Sequence, residues 1–445
     1  MSVRQYPSYK DSGIPWLGDV PADWPIVRLK KIFSERDERS LKGEEVLLSV
    51  SAYTGVRPRS EIVDVDDHLT RADSLVGYKI VKKDDLVVNI MLAWNRGLGV
   101  SEHEGIVSPA YCVFSPNTAL DPTFANYVLR SNEYIAYYKA HSTGVIDSRL
   151  RIYPDKFLGL TCALPPRPEQ LAIAAFLDRE TGKIDALVAE QERLIALLKE
   201  KRQAVISQAV TKGLDPDVPM KDSGVEWLGE VPAHWEVKPY SKAIWYQEGP
   251  GIMAADFHDE GVPLLRVAGV QGSWASLDGC NYLDPNKVDN RWSHFRLRVG
   301  DLVISASATM GTVSEVGSDT AGAIPYTGLI RLVPNTNFIT KSYVRAFTQS
   351  ILFLRQIEMF KAGAMIQHFG PSHLRQMKIL LPPISEQEEI ASYLSGQDVK
   401  LEKLTAAAEQ AIILLRERRA ALISAAVTGK IDVRDLAAQP EAQAA

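Results

Sequence analysis

The 445-residue chain has only three cysteines, Cys112, Cys162 and Cys280. Odd in number, widely spaced and without a CxxC pair, they exclude a disulfide framework and a zinc ribbon and read as buried thiols in a reducing compartment. No apolar run approaches the roughly 18 residues that a membrane-spanning helix needs, and Met1 to Tyr9 has no apolar export segment, so a cytoplasmic chain is expected. There is no GxxxxGK[ST] loop, which argues against ATP hydrolysis by this chain. An Asn-Pro-Pro-aromatic run, needed by a base methyltransferase, is also missing; Ser108-Pro109-Ala110-Tyr111 comes nearest, and a turn bounding a strand accounts for it. The eight histidines show no HExxH or HxxxH spacing, so no metal site is expected. Nor is there a basic excess: the formal net charge is -5, which argues against promiscuous nucleic-acid binding but leaves room for local basic surfaces.

What is present is ordinary globular composition, 46% hydrophobic and 24% charged, arranged as a tandem duplication. Lys10-Asp11-Ser12-Gly13, Trp16-Leu17-Gly18, Val20-Pro21-Ala22 and Trp24 recur as Lys221-Asp222-Ser223-Gly224, Trp227-Leu228-Gly229, Val231-Pro232-Ala233 and Trp235. Leu164-Pro165-Pro166, Glu169-Gln170, Ile173 and Leu177 recur as Leu381-Pro382-Pro383, Glu386-Gln387, Ile390 and Leu394, an offset of 394 − 177 = 217 residues. The match runs on through 197–202 against 414–419 and ends at Val210-Thr211 and Val427-Thr428. The middles, about 25–160 and 236–378, share much less, so a common scaffold carries two different readers.

The shared ends carry heptads. Leu177, Ile184, Gln191, Leu198 and Val205 are seven apart, with Leu187 and Leu194 three residues on from the second and third; Leu394, Leu401, Ala408, Leu415 and Leu422 follow the same register, joined by Leu404 and Ala411. Two such stripes can bury each other. Pro165-Pro166 and Pro382-Pro383 end the preceding strands, Gly182 and Gly396 are expected to part a short helix from a long one of about 30 residues, and Gly213 and Gly429 sit at the expected C-caps. The middles read as mixed α/β, with strands at Asp85–Ile90 and Asp301–Ser305 and one helix each, Phe124–Lys139 and Lys341–Lys361. The expected fold is therefore mixed α+β: a first reading domain over 1–164, a helical spacer over 165–213, a second domain over 214–381, a second spacer over 382–430 and a frayed tail over 431–445.

Side chains suited to base edges cluster in the middles. The first has Arg57 and Arg59; Asn89, Trp94, Asn95 and Arg96; and His141, Ser142 and Thr143 with Arg149 and Arg151. The second has Arg266, Gln271 and Trp274; Asn290, Arg291, Trp292, His294, Arg296 and Arg298; Ser305, Ser307 and Thr309; and Gln367 and His368. Any one of them alone is equally an ordinary solvated residue. The basic helix ends, Lys199, Lys201 and Arg202 with Arg416, Arg418 and Arg419, fit helix dipoles or a partner protein better than DNA. Pro216-Asp217 with Glu236-Val237-Lys238 matches a loose nuclease pattern, but the corresponding Pro25-Ile26-Val27 holds no carboxylate.

With its repeated Pro-Pro-x-x-Glu-Gln-x-x-Ile helix entries and its Lys-Asp-Ser-Gly…Trp-Leu-Gly…Val-Pro…Trp openings, the chain resembles the specificity subunits of type I restriction-modification systems. The resemblance implies two target recognition domains, each reading half of a split site in double-stranded DNA, and an antiparallel coiled coil that fixes the gap. It also implies two methyltransferase subunits bringing S-adenosylmethionine chemistry and two motor-nuclease subunits bringing ATP and Mg2+, with no cofactor and no catalysis on this chain. The alternatives are a specificity module of a type II-like system, a coiled-coil scaffold that binds only proteins, and a self-sufficient nuclease resting on Asp217.

Overall fold

The computed structural model describes residues 4–52, 54–61, 74–117, 120–306, 312–361 and 369–436, without the side chains of residues 148, 360 and 361. It divides into two compact units: Met1–Gln191 with Gln410–Ala445, and Glu192–Glu409.

Each unit is built on a four-stranded antiparallel sheet of one strand order. In the first the order is Phe33–Arg36, Tyr111–Pro116, Leu86–Asn89, Leu98–Val100; in the second it is Ile244–Glu248, Leu329–Pro334, Leu302–Ser305, Val313–Glu315. Leu86–Asn89 and Leu302–Ser305 are buried at every position, so they lack the apolar-polar alternation of a strand with one wet face. The period-two geometry of a strand sorts their side chains. Leu86 and Val88 join the helix-side core of the first unit, whereas Val87 joins Leu48, Val56, Val81, Val107 and Val113 on the opposite face. In the second unit Leu302 and Ile304 take the helix side and Val303 packs with Leu265, Val270 and Leu297.

The single helices expected over 124–139 and 341–361 are each two: Pro122–Leu129 and Asn132–His141, then Lys341–Gln349 and Ile351–Lys361. Both breaks fall on a serine in extended backbone, Ser131 (ψ 157°) and Ser350 (ψ 153°), a residue type that favours helix starts over helix interiors. Conversely, Gly182 and Gly396 interrupt nothing. The long helices run unbroken over Arg167–Lys212 and Ile384–Val427, 46 and 44 residues, or roughly 65–70 Å rather than 45 Å. A helical glycine costs only about 1 kcal/mol relative to alanine, too little to part a helix packed along its length. Gly213 (φ +77°) and Gly429 (φ +73°) do follow the helix ends in left-handed backbone.

Within each unit the two long helices meet in antiparallel coiled-coil fashion. In the first, Asp185 accepts from Arg419 (2.8 and 3.2 Å), and Glu169, near the start of one helix, faces Arg434 beyond the end of the other. In the second, Arg202 pairs with Asp398 (3.1 Å) and Glu402 (3.4 Å), while Gly213 lies against Glu386 in the opposite helix's first turn. Since 185 + 217 = 402 and 202 + 217 = 419, Arg419–Asp185 and Arg202–Glu402 are one contact with the helices' roles exchanged. Arg202 and Arg419 thus serve the coil itself instead of a dipole or an outside partner.

Burial follows the seven-residue stripe: Leu177, Ile184, Leu198, Leu394 and Leu401 are buried, and Val205, Leu415 and Leu422 partly so. The other half of the seam lies four residues on, at Thr181, Val188, Ile195, Arg202 and Ala209 and at Asp398, Thr405, Ile412, Arg419 and Ala426, all buried or half-buried. Leu187, Leu194 and Leu404, three residues on, are about half exposed.

The repeated motifs tie these helices to the domains. Gln170, 1% exposed, accepts from the Asp121 N–H (2.7 Å) and donates to the Pro165 carbonyl (2.8 Å). Gln387, fully buried, accepts from the Thr340 N–H (2.9 Å) and donates to the Pro382 and Phe338 carbonyls. Asp121 and Thr340 are the N-caps of the helices Pro122–Leu129 and Lys341–Gln349, so one amide clamps the entry of two helices. The opening motif folds as a short hairpin, Tyr9–Asp11 against Asp19–Pro21 and Met220–Asp222 against Glu230–Pro232, and delivers the fully buried Trp24 and Trp235. Trp235 donates to Glu386 (3.0 Å) beside Gly213; Trp24 lies on Gly429, where an added Cβ would also meet Pro21 at 2.3 Å.

Replacing Gln387 with leucine strands buried polar groups at roughly 1–3 kcal/mol each, and the melting temperature is expected to drop by about 5–10 °C. Calorimetry showing a wild-type melting temperature would remove the clamp from the account.

Candidate nucleic-acid interface

The strand Leu86–Asn89 runs into a tight loop that Asn89 shapes. Its carboxamide oxygen accepts from Met91 N (3.0 Å) and its carbonyl from Leu92 N (3.0 Å), and Arg96 closes the turn in left-handed backbone (φ +62°). Trp94 donates its indole N–H to Met91 O (2.9 Å) and lies under the Lys139 ammonium, 5.3 Å from the ring centre. The 143–151 loop joins it: Ile152 N donates to Ile90 O (3.0 Å), and Thr143 and Arg151 exchange backbone hydrogen bonds of 2.9 Å each. Two separate sequence clusters, Asn89–Arg96 and His141–Arg151, are thereby brought to one end of one sheet.

Within this surface Asn95 and Arg149 are exposed and Arg96 and Arg151 half-buried, whereas Asn89 is only 4% exposed and holds the loop from beneath. Arg96 donates to Asn132 Oδ1. Below it Arg130 donates to the carbonyls of Leu98, Arg96, Ser51 and Ala52. Burial, with the charges of Arg96 and Arg419 nearby, lowers its pKa to about 10, so the guanidinium stays charged at neutral pH. A cleft of ≈ 1310 Å³ opens here, lined by Asn95, Arg96, Arg130, Asn132, Asp185 and Arg419 among others. Arg57 and Arg59 come from a neighbouring hairpin. Arg57 lies 3.7 Å from Glu102. Arg59 sits near the Tyr111 hydroxyl, whose pKa burial raises against the pull of Ser49, Asn89 and Arg59.

The second unit repeats the strap: Phe369 N donates to Ala306 O (3.1 Å), as Ile152 does to Ile90. Ser305, at the strand-end position of Asn89, is fully buried. Ser307, Thr309, Gln367 and His368 lie outside the described residues. Arg266 is held in place, donating to Asn281 (2.9 Å) with its guanidinium 4.2 Å from the Tyr326 ring centre and 5.5 Å from that of Phe257. Gln271 is exposed and donates to Val267 O (3.0 Å); Arg291 is exposed, 5.9 Å from the Trp292 ring centre. Trp245 was not marked by the sequence, yet it is 53% exposed beside Arg331, which pairs with Asp301. Its strand alternates too briefly to flag an outward aromatic.

Among the described residues no group of three or more His, Cys, Asp or Glu could hold a metal, and no helix is long and apolar enough to cross a membrane. Of the nuclease-like pattern, Glu236 is ion-paired to Lys238 at 2.5 Å, and Asp217 lies in a turn where its backbone N–H donates to Asp215 Oδ1.

Residues 286–412 match the family model described as the type I restriction modification DNA specificity domain. The chain is 24% identical over 434 residues to the type I restriction enzyme MjaVIII specificity subunit of Methanocaldococcus jannaschii, covering 94% of this chain and 95% of that one. The chain is thus similar to type I restriction enzyme specificity subunits, in sequence and in fold. Its fold resembles that of the HsdS subunit of Thermoanaerobacter tengcongensis, at 16% identity, TM-score 0.52, and coverage of 93% of this chain and 98% of that one. It also resembles a chain solved in a study of complex assembly and conformational transition of the type I R-M system, at 17% identity, TM-score 0.64, and coverage of 92% and 98%. Like them it is a mixed α/β protein with two long helices that pair as a coiled coil within each unit.

Proposed function

We propose that this chain reads a split site in double-stranded DNA for a type I restriction-modification complex, each unit contacting one half-site and the long helices setting the gap. The observation that carries the reading is the repeated strap, Ile152 to Ile90 and Phe369 to Ala306, made just past the same central strand of the same sheet in both units, while the sequences around it differ. A shared frame with different side chains suits two different half-sites. Two methyltransferase subunits dock on the helices and two motor-nuclease subunits complete the assembly, bringing S-adenosylmethionine, ATP and Mg2+; this chain contributes recognition and no catalysis. Docking of one partner twice is supported by exposed leucines at equivalent positions, Leu187 with Leu404 and Leu197 with Leu414, each about half exposed. Partner subunits supply much of the phosphate contact, which accords with a net charge of -5.

The test is to co-express the chain with its candidate methyltransferase subunit and sequence the host DNA for modified bases. The expected result is one motif of two short half-sites around a fixed gap. A stable complex that modifies nothing would refute the proposal.

A further inference from the structure

We infer that the Val145–Ile146 tip of the 143–151 loop is a base-reading element that enters a DNA groove. Val145 is 98% exposed and Ile146 53%. Scattered surface apolar residues need no explanation, but these two are adjacent, β-branched and mounted on a closed loop. Thr143 and Arg151 pin its base, and Arg149 N donates to Ile146 O (2.8 Å) across it. Gly144 stands at φ +149°, where an added Cβ would lie 2.6 Å from Arg149 O, so the two sides of the loop approach too closely for any other residue. Together with the few rotamers open to β-branched side chains, this fixes the tip before any ligand arrives.

The surroundings point to a nucleic acid. Lys139, which is ion-paired to Asp147 of the loop (2.8 Å), and His141 stand at the foot of the loop, Arg149 is exposed within it, and the bond from Ile152 to Ile90 sets it beside Asn95 and Arg96. Cations and amides flank an apolar point, the combination that pairs hydrogen bonds to base edges with apolar contact to a thymine methyl. Two side chains are far too small for a protein partner, which needs about 800 Å² on each side, whereas a loop tip fits a major groove about 12 Å wide. The inference rests on the DNA reading above.

The experiment uses the full chain in complex with its methyltransferase subunit. V145S/I146S, and V145A as a milder variant, are compared with wild type on duplexes altered at each base pair of the methylated motif and on unrelated DNA. Both substitutions fall on exposed positions, and the melting temperature of each complex is measured alongside. The expected result for the double variant is about 5- to 100-fold weaker binding to the motif, with discrimination lost at one or two base pairs of one half-site and binding to unrelated DNA unchanged. Wild-type discrimination at every base pair would overturn the inference, as would an equal loss on all DNA. Release of the methyltransferase subunit with sequence selectivity intact would assign the tip to a protein instead. A wild-type complex that selects no sequence would overturn the DNA reading itself.

Discussion

If the chain reads DNA as proposed, exchanging residues 25–160 for the same segment of a type I specificity subunit is expected to replace one half of the methylated sequence and leave the other half and the gap unaltered. Three of the attachments that join the segment to the remainder of its unit bear on this. Ile26–Arg28 pairs with Thr161–Ala163, the Asp121 N–H donates to Gln170, and the Tyr127 hydroxyl donates to Asp178 (2.8 Å). Backbone groups make two of these three, so they tolerate foreign side chains. Each mismatched base pair costs a specific complex about 1–3 kcal/mol. A half-site of three altered pairs is therefore disfavoured by roughly 3–9 kcal/mol, enough to move methylation wholly to a new sequence. Methylome sequencing reads the result directly, and a change in both halves would mean that the two domains do not read independently.

Lengthening both long helices by one heptad at matched positions, after Gln191 and after Ala408, is expected to widen the gap and keep both half-sites. Seven residues preserve the stripe of Leu177, Ile184, Leu198 and Val205 and its four-residue companions, and they add about 10.5 Å of helix, close to three base pairs. Inserting the heptad in one helix alone shifts that helix against the other, separating Arg419 from Asp185 or Arg202 from Glu402, and this variant is expected to lose methylation. Altered half-sites with an unchanged gap would dispose of the ruler. So would full activity of the one-sided insertion.

The duplication, the seven-residue stripe and the helix-ending glycines were legible because each rests on local pattern. The companion seam was not. Leucines three residues on from the stripe draw the eye, but the helices turn them outward and seat Thr181, Arg202, Asp398 and Arg419 four residues on, where ion pairs offset what the side chains lack in apolar surface. Nor did the sequence disclose that the divergent middles share a sheet, because a strand buried on both faces needs only apolar residues and any will serve. At the interface, Asn89 and Ser305 looked like readers by residue type; burial assigns them to the ends of central strands. Val145 and Ile146 carry no sequence signal, because an apolar residue type does not by itself tell an exposed loop tip from a core position.

The exchange of roles between Arg202–Glu402 and Arg419–Asp185 governs how the repeats can diverge. Each helix supplies the arginine for one unit and the acid for the other, so neither can drift at these positions without its twin. Recombination that copies a whole helix from one repeat onto the other leaves every arginine opposite a carboxylate. The middles carry no such mutual debt. The middle segments can be traded as cassettes while the helices that hold them remain interchangeable parts.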